Sequence, residues 1–273
     1  MDLKSHLGRP ADFRSPAFLL MVAAVVLAAG AALLLWLGGE PGSLFLAPVF
    51  TFLTWALLRE VDPDHPWSAI LAGVVAAVWV LVGGETLSGW AVAGLMVAAR
   101  IVTSTTGRRP LGTDLAIVTV FGIAIAFTVE GWLAGFGIAL AFYIDDRFRG
   151  ENRMAAIAAA TVTAVGATIV ASLNSAFPER FPEVIQYLAV TAGILGLILS
   201  MREPATPISQ VDARHAAFIE QDRLHVSRTL AGLAVFLMSL LAGAEGRGTV
   251  VLIVPLALAV VSNEIELLRR RAR

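Results

Sequence analysis

The stretch LAIVTVFGIAIAFTVEGWLAGFGIALAFYI, from Leu115 to Ile144, decides how the whole chain is read: it is uncharged from end to end except at Glu130, beside Gly131. If the chain turns there, successive helix ends alternate between two sides and every Arg-rich connection falls on one of them. Without the turn, everything downstream inverts. With it, 18 of the 20 Lys and Arg residues share a side with the N-terminus, and only Arg180 and Arg247 lie opposite. An excess of Lys and Arg marks the cytoplasmic side of a membrane protein.

Outward from that stretch the same pattern repeats. The chain is 58% hydrophobic and 15% charged, its mean hydropathy is +0.79, and its apolar runs approach the roughly 20 helical residues that cross a hydrocarbon core of about 30 Å. The expected fold is all-α: a polytopic integral membrane bundle of about ten helices with both termini inside. Two inverted five-helix halves or a series of helical hairpins would build it. Spans are predicted near 16–37, 43–58, 68–83, 87–103, 113–129, 131–145, 154–173, 184–201, 227–243 and 248–263. A cytoplasmic segment 1–15 would precede this single membrane domain, 16–263. The longest inner loop would be 202–226, and a basic tail 264–273 would follow. The first span lacks a small-x-small cleavage site after it and is expected to be retained.

Composition removes several classes. With no Cys there is neither a disulfide scaffold nor a thiolate zinc site, and a net charge of −1 gives no electrostatic case for nucleic acid. In the expected topology the inner side carries 18 basic and 15 acidic residues and the outer side 2 and 6, with all nine Asp and all four His inside. The expected location is a bacterial cytoplasmic membrane, with anionic lipid head groups as partners of the inner face. The sequence leaves an oligomer open.

Within the spans no ionisable group sits centrally, which disfavours proton coupling through a buried carboxylate. Besides Gln186, Tyr187, Thr191 and Asn263, the polar groups at depth are hydroxyls: Thr51 and Thr54 on the second span, and Thr161, Thr163 and Thr168 on the seventh. These are the candidate substrate path, although a Thr also satisfies itself on its own i−4 carbonyl. Small residues such as Gly131, Gly135 and Ala155 to Ala160 suit close helix packing. Pro48 and Pro255 are expected to kink their helices.

The inner turns recur at intervals of roughly 45 residues, as duplicated hairpins would, although Arg at a helix C-terminus also suits the macrodipole without shared ancestry. Asp62-Pro63-Asp64-His65 sets two carboxylates at i and i+2, which suits a hard cation such as Mg²⁺ and equally an ordinary capped turn. Asp145 and Asp146 oppose the dipole of the helix they end and need compensation from Arg147, Arg149 or Arg153. Arg100, Thr105, Thr106, Arg108, Arg109 and Arg147 form a candidate phosphate-binding set, with lipid head groups as an equal explanation. Thr113 is the expected N-cap of the fifth helix, with Asp114 in its first turn. Ser209-Gln210-Val211-Asp212 reads as a capping box opening a short mixed helix through Arg228.

In span number, short loops and both ends inside, the chain resembles the drug/metabolite transporters. That resemblance implies inverted halves in which the second and seventh spans correspond, the two that carry the hydroxyls. The expected function is a permease or exporter of a neutral, amphipathic or lipid-like small molecule, with no cofactor and no catalytic residue. The alternative is a membrane enzyme acting on a phosphorylated lipid, in which Asp62, Asp64, Asp145 and Asp146 hold Mg²⁺. A second alternative is a noncatalytic membrane subunit. Asp62→Asn or Asp145→Asn abolishes activity under the enzyme reading, whereas Thr54→Val or Thr163→Val impairs flux under the transport reading.

Overall fold

The computed structural model of the 273-residue chain describes residues 15–38, 43–83, 88–105, 110–150, 153–174, 210–212, 217–218 and 220–241, with isolated positions between 252 and 269. The segments 1–14 and 184–201 and half of 248–263, Pro255 included, lie outside the described residues. The helices are α1 (Pro16–Leu37), α2 (Ser43–Val61), α3 (Pro66–Leu81), α4 (Gly89–Thr103), α5 (Gly112–Ala124), α6 (Val129–Arg149), α7 (Met154–Leu173) and α8 (Gln221–Leu241). Two short antiparallel strands, β1 (Gln210–Asp212) and β2 (Ala217–Phe218), precede α8.

Among the described residues three helices are long and apolar enough to cross a membrane: Pro16–Leu37, Leu44–Val61 and Met154–Leu173. Pro66–Leu81, Gly89–Thr103 and Gly112–Ala124 are apolar but shorter. α1 is the least enclosed of the long helices, with Leu27, Leu34 and Leu37 exposed along it. Pro48 falls in the second turn of α2, and the helix continues through it.

The chain does break within Leu115 to Ile144, but several residues earlier than Glu130-Gly131. α5 ends at Ala124, α6 begins at Val129, and Thr128 caps α6 by accepting from the Gly131 N–H at 3.1 Å. Glu130 therefore lies in the first turn of α6, where a negative charge suits the positive end of the helix dipole, and it is buried. Gly131 is needed because a Cβ there would run into the Ile125 carbonyl. Gly135 backs against the Gly122 carbonyl in the same way, which sets α5 and α6 in an antiparallel hairpin at close range.

Three helices form the central row. Val49 and Leu53 of α2 flank Gly89 of α4, and Glu60 meets Arg100, so α2 and α4 run parallel. Gly94 packs on Ala134 and Ala98 on Gly137, so α4 and α6 do the same. α1 and α3 pack beside α2, α5 and α7 beside α6, and α8 is in contact with α2, α4 and α6. The C-terminal ends of α2, α4 and α6 consequently meet at one end of the bundle, with the N-termini of α3, α5, α7 and α8.

Two local expectations are corrected. Residues 209–228 do not form one mixed helix: strands 210–212 and 217–218 come first, and Gln221–Arg228 are the opening turns of α8. The N-cap of α5 is Leu111 and not Thr113, because Asp114 reaches back to accept the Leu111 N–H at 3.0 Å and so starts the helix at Gly112.

Candidate functional site: an ion-paired end of the bundle

The last carbonyls of a helix have no intrahelical partner, and positive charge is favoured there. Three parallel helices ending side by side concentrate such carbonyls, and the sequence adds Glu60, Asp62, Asp145 and Asp146 to the same end. All four acids are buried. Buried carboxylates require charged or hydrogen-bonding partners, and each of the four is engaged.

Glu60 accepts from Arg100 Nε and from the Thr105 hydroxyl, both at 2.7 Å. Asp62 accepts from Arg228 Nη2 at 3.2 Å and faces Nδ1 of His65 at 2.9 and 3.0 Å. Asp145 holds Arg149 Nε through both oxygens at 3.0 Å and Arg223 Nη1 at 2.7 Å. Asp146 accepts the Arg153 N–H at 3.0 Å, the entry to α7.

α8 supplies the two deepest cations. Arg223, 5% exposed, also donates to the Val102 carbonyl in the last turn of α4 at 3.2 Å, and its guanidinium lies over the Phe148 ring at 4.9 Å from the centroid. Arg228, 2% exposed, also donates to the carbonyl of Val61, the last residue of α2, at 3.0 Å. Each arginine thus neutralises an acid and caps a helix C-terminus. α4 and α6 are joined once more where Arg149 Nη2 donates to the Ser104 hydroxyl at 2.9 Å. Ser104 takes a left-handed conformation, φ 51°, which costs a non-glycine residue about 1 to 2 kcal/mol. The hydrogen bond lies at the residue that carries this strain.

His65, half-buried, has its pKa raised above the usual 6.5 by its hydrogen bond with Asp62, against the cost of desolvating the ring. The charges of Asp62 and Asp64 add to the rise, and that of Arg228 opposes it.

The expected site residues divide. Asp62 and Asp145 are filled by guanidinium and imidazole groups, and among the described residues no three His, Asp or Glu side chains gather as a metal site. Asp64 lies half-exposed in the turn after α2. Of the phosphate set, Arg100 and Thr105 converge on Glu60. Arg147 stacks 5.1 Å over the ring of Tyr143 and donates to its hydroxyl at 3.0 Å. Thr106, Arg108 and Arg109 lie outside the described residues.

Thr51 and Thr163 bond back to the carbonyls of Ala47 and Ala159, each at 2.7 Å. Thr161 bonds to Ile157 at 2.9 Å, and Thr168 to Ala164 at 2.8 Å while accepting from Trp132 Nε1 at 3.2 Å. Thr51 faces α3 at Gly73, and Thr163 faces α5 at Gly122. The second and seventh helices therefore carry their hydroxyls in separate seams. Thr54 is the exception among the five: wholly buried, its hydroxyl has no partner.

Glu60, Arg223 and Arg228 were not singled out by sequence reasoning. A signal for Arg228 exists: Leu224, Arg228, Ala231, Val235 and Met238 recur at helical spacing, so a cation interrupts an otherwise apolar stripe. No family model matches this chain, and neither a curated protein nor a solved structure matches it.

Proposed function

We propose that the chain is a multi-pass membrane permease or exporter for a neutral, amphipathic or lipid-like small molecule, with the ion-paired end facing the cytoplasm. The observation that carries this reading is the placement of the buried charges. Those of the described residues lie at the two ends of the bundle: Glu60, Asp62, Asp114, Asp145, Asp146, Arg223 and Arg228 at one, Glu130 at the other. Between the ends the helices offer hydroxyls, which hydrogen-bond a neutral solute and give a charged one no counter-ion.

Lipid surroundings are supported by the exposed apolar faces of α1, α3, α5 and α7, including Leu27, Val78, Val120 and Ile169. Among the described residues the exposed Trp and Tyr side chains lie towards both ends, Trp67 and Tyr143 near the acids and Trp36 and Trp90 opposite, as in the interfacial belts of membrane proteins. The capture of Asp62 and Asp145 by arginine and histidine favours transport over the Mg²⁺-dependent enzyme, which needs those carboxylates free for the metal.

Because Asp62 and Asp145 carry ion pairs, the variants that separate the readings are Asp64→Asn and Asp146→Asn. The chain is reconstituted in liposomes, and leaflet exchange of a fluorescent neutral diacylglycerol is followed by quenching with dithionite. Transport predicts exchange in the parent, near-parent rates in both Asn variants, and loss in Thr54→Val. No exchange, with Mg²⁺-dependent turnover of a phosphorylated lipid that both Asn variants abolish, overturns it.

A further inference from the structure

We infer that Arg223 and Arg228 form the latch of an inner gate, holding the ends of α2, α4 and α6 closed until α8 releases them. This rests on the transport reading and adds the moving part. α8 touches all three helices of the central row, and its two buried arginines bind them near their C-terminal ends: Arg223 to Val102 of α4 and Asp145 of α6, Arg228 to Val61 of α2 and to Asp62 just beyond it.

A seal of this chemistry opens at low cost. The attraction within a buried ion pair is largely offset by the hydration its members gave up, so separating them into water returns most of what closing removed. An apolar seam opened to water recovers nothing comparable. The closed arrangement is also incompletely satisfied. Arg228 Nη1 and the Ser227 hydroxyl, both buried on α8, find no partner, and each gains one when water enters. Behind the seal, eight residues up α2 from Asp62 and so about 12 Å along the helix, lies the unpartnered Thr54 hydroxyl. Release of α8 would expose it to the inner solution.

The absence of Cys makes the test direct, since Thr54→Cys introduces a single thiol. Full-length Thr54→Cys protein in inside-out vesicles is labelled with a membrane-impermeant maleimide and no substrate. Arg228→Lys keeps the charge but loses the fork that reaches Asp62 and the Val61 carbonyl together. It is expected to speed labelling about tenfold, equivalent to about 1.4 kcal/mol in the opening equilibrium. Arg223→Lys is expected to act in the same direction. Glu220→Gln, which alters only the exposed partner of Arg223, is expected to leave the rate at that of the parent. If Arg228→Ala loses its helicity by circular dichroism, the lysine variants decide. Parent-rate labelling in both folded lysine variants overturns the latch. Accelerated labelling in a chain that exchanges no lipid overturns the transport reading and leaves the latch standing, whereas unchanged labelling with exchange intact does the reverse.

Discussion

Arg228→Ala leaves a buried carboxylate with His65 as its one remaining side-chain partner among the described residues. Asp62 is wholly buried, and the substitution removes its 3.2 Å bond from Nη2 together with the 3.0 Å bond that caps Val61. Breaking a buried pair by deleting one partner costs about 3 to 5 kcal/mol. Arg223→Ala is milder by construction, because Asp145 keeps both 3.0 Å contacts with Arg149. What is lost there is one charge-assisted hydrogen bond, about 1.5 to 3 kcal/mol, and the contact with Phe148, about 0.5 to 1 kcal/mol. The two variants should also differ in pH dependence. His65 is the remaining partner of Asp62 in Arg228→Ala, and its raised pKa means that the folded chain holds the proton more tightly than the unfolded one. The resulting stabilisation is complete below 6.5 and is lost as pH rises through the folded value. Removing Arg228, whose charge lowers the His65 pKa, strengthens that dependence. Denaturation midpoints of full-length protein in detergent, at about pH 5.5 and about pH 9, check this. The deficit of Arg228→Ala relative to the parent should shrink on acidification, while that of Arg223→Ala changes little. Equal pH slopes in the two variants would refute the assignment of His65 and Arg228 to one shared carboxylate.

Two further outcomes follow from packing. Gly135→Ala drives a methyl into the Gly122 carbonyl and is expected to destabilise by about 1 to 3 kcal/mol, whereas Gly137→Ala meets only Ala98 at 3.9 Å and should gain up to about 1 kcal/mol of helix propensity. Denaturation midpoints of opposite sign, two residues apart on α6, check the α5/α6 seam. Thr54→Val removes a buried hydroxyl that has no partner, so it is expected to hold or raise stability by about 1 kcal/mol while exchange falls; a large loss of stability would mean that the hydroxyl is structural.

The helices were legible because long apolar runs separated by charged or Gly/Pro breaks leave few alternatives. Their ends were less so. The α5/α6 break was placed at Glu130 because a charge is the visible interruption, yet Thr128 forms the cap and a buried Glu is favourable in the turn that follows. Residues 210–212 show the converse: the run from Ser209 to Asp212 resembles a helix start, but pairing of Gln210 with Phe218 places 210–212 in a strand.

The partners of the acids were illegible for a different reason. Sequence spacing shows which residues share one helix face, and it correctly demanded compensation for Asp145, which Arg149 supplies one turn later. It does not show which helices are neighbours. Arg223 reaches Asp145 across 78 positions and Arg228 reaches Asp62 across 166, distances over which no period operates. Those contacts exist only once α2, α4 and α6 lie parallel with their C-termini level, since only then do orphan carbonyls and carboxylates gather where one helix can bind both. A motif search looks for acids that converge on a metal. In this chain Asp62 and Asp145 converge on α8, and the trace of it in the sequence is a cation placed on a stripe where hydrophobic packing alone would put leucine.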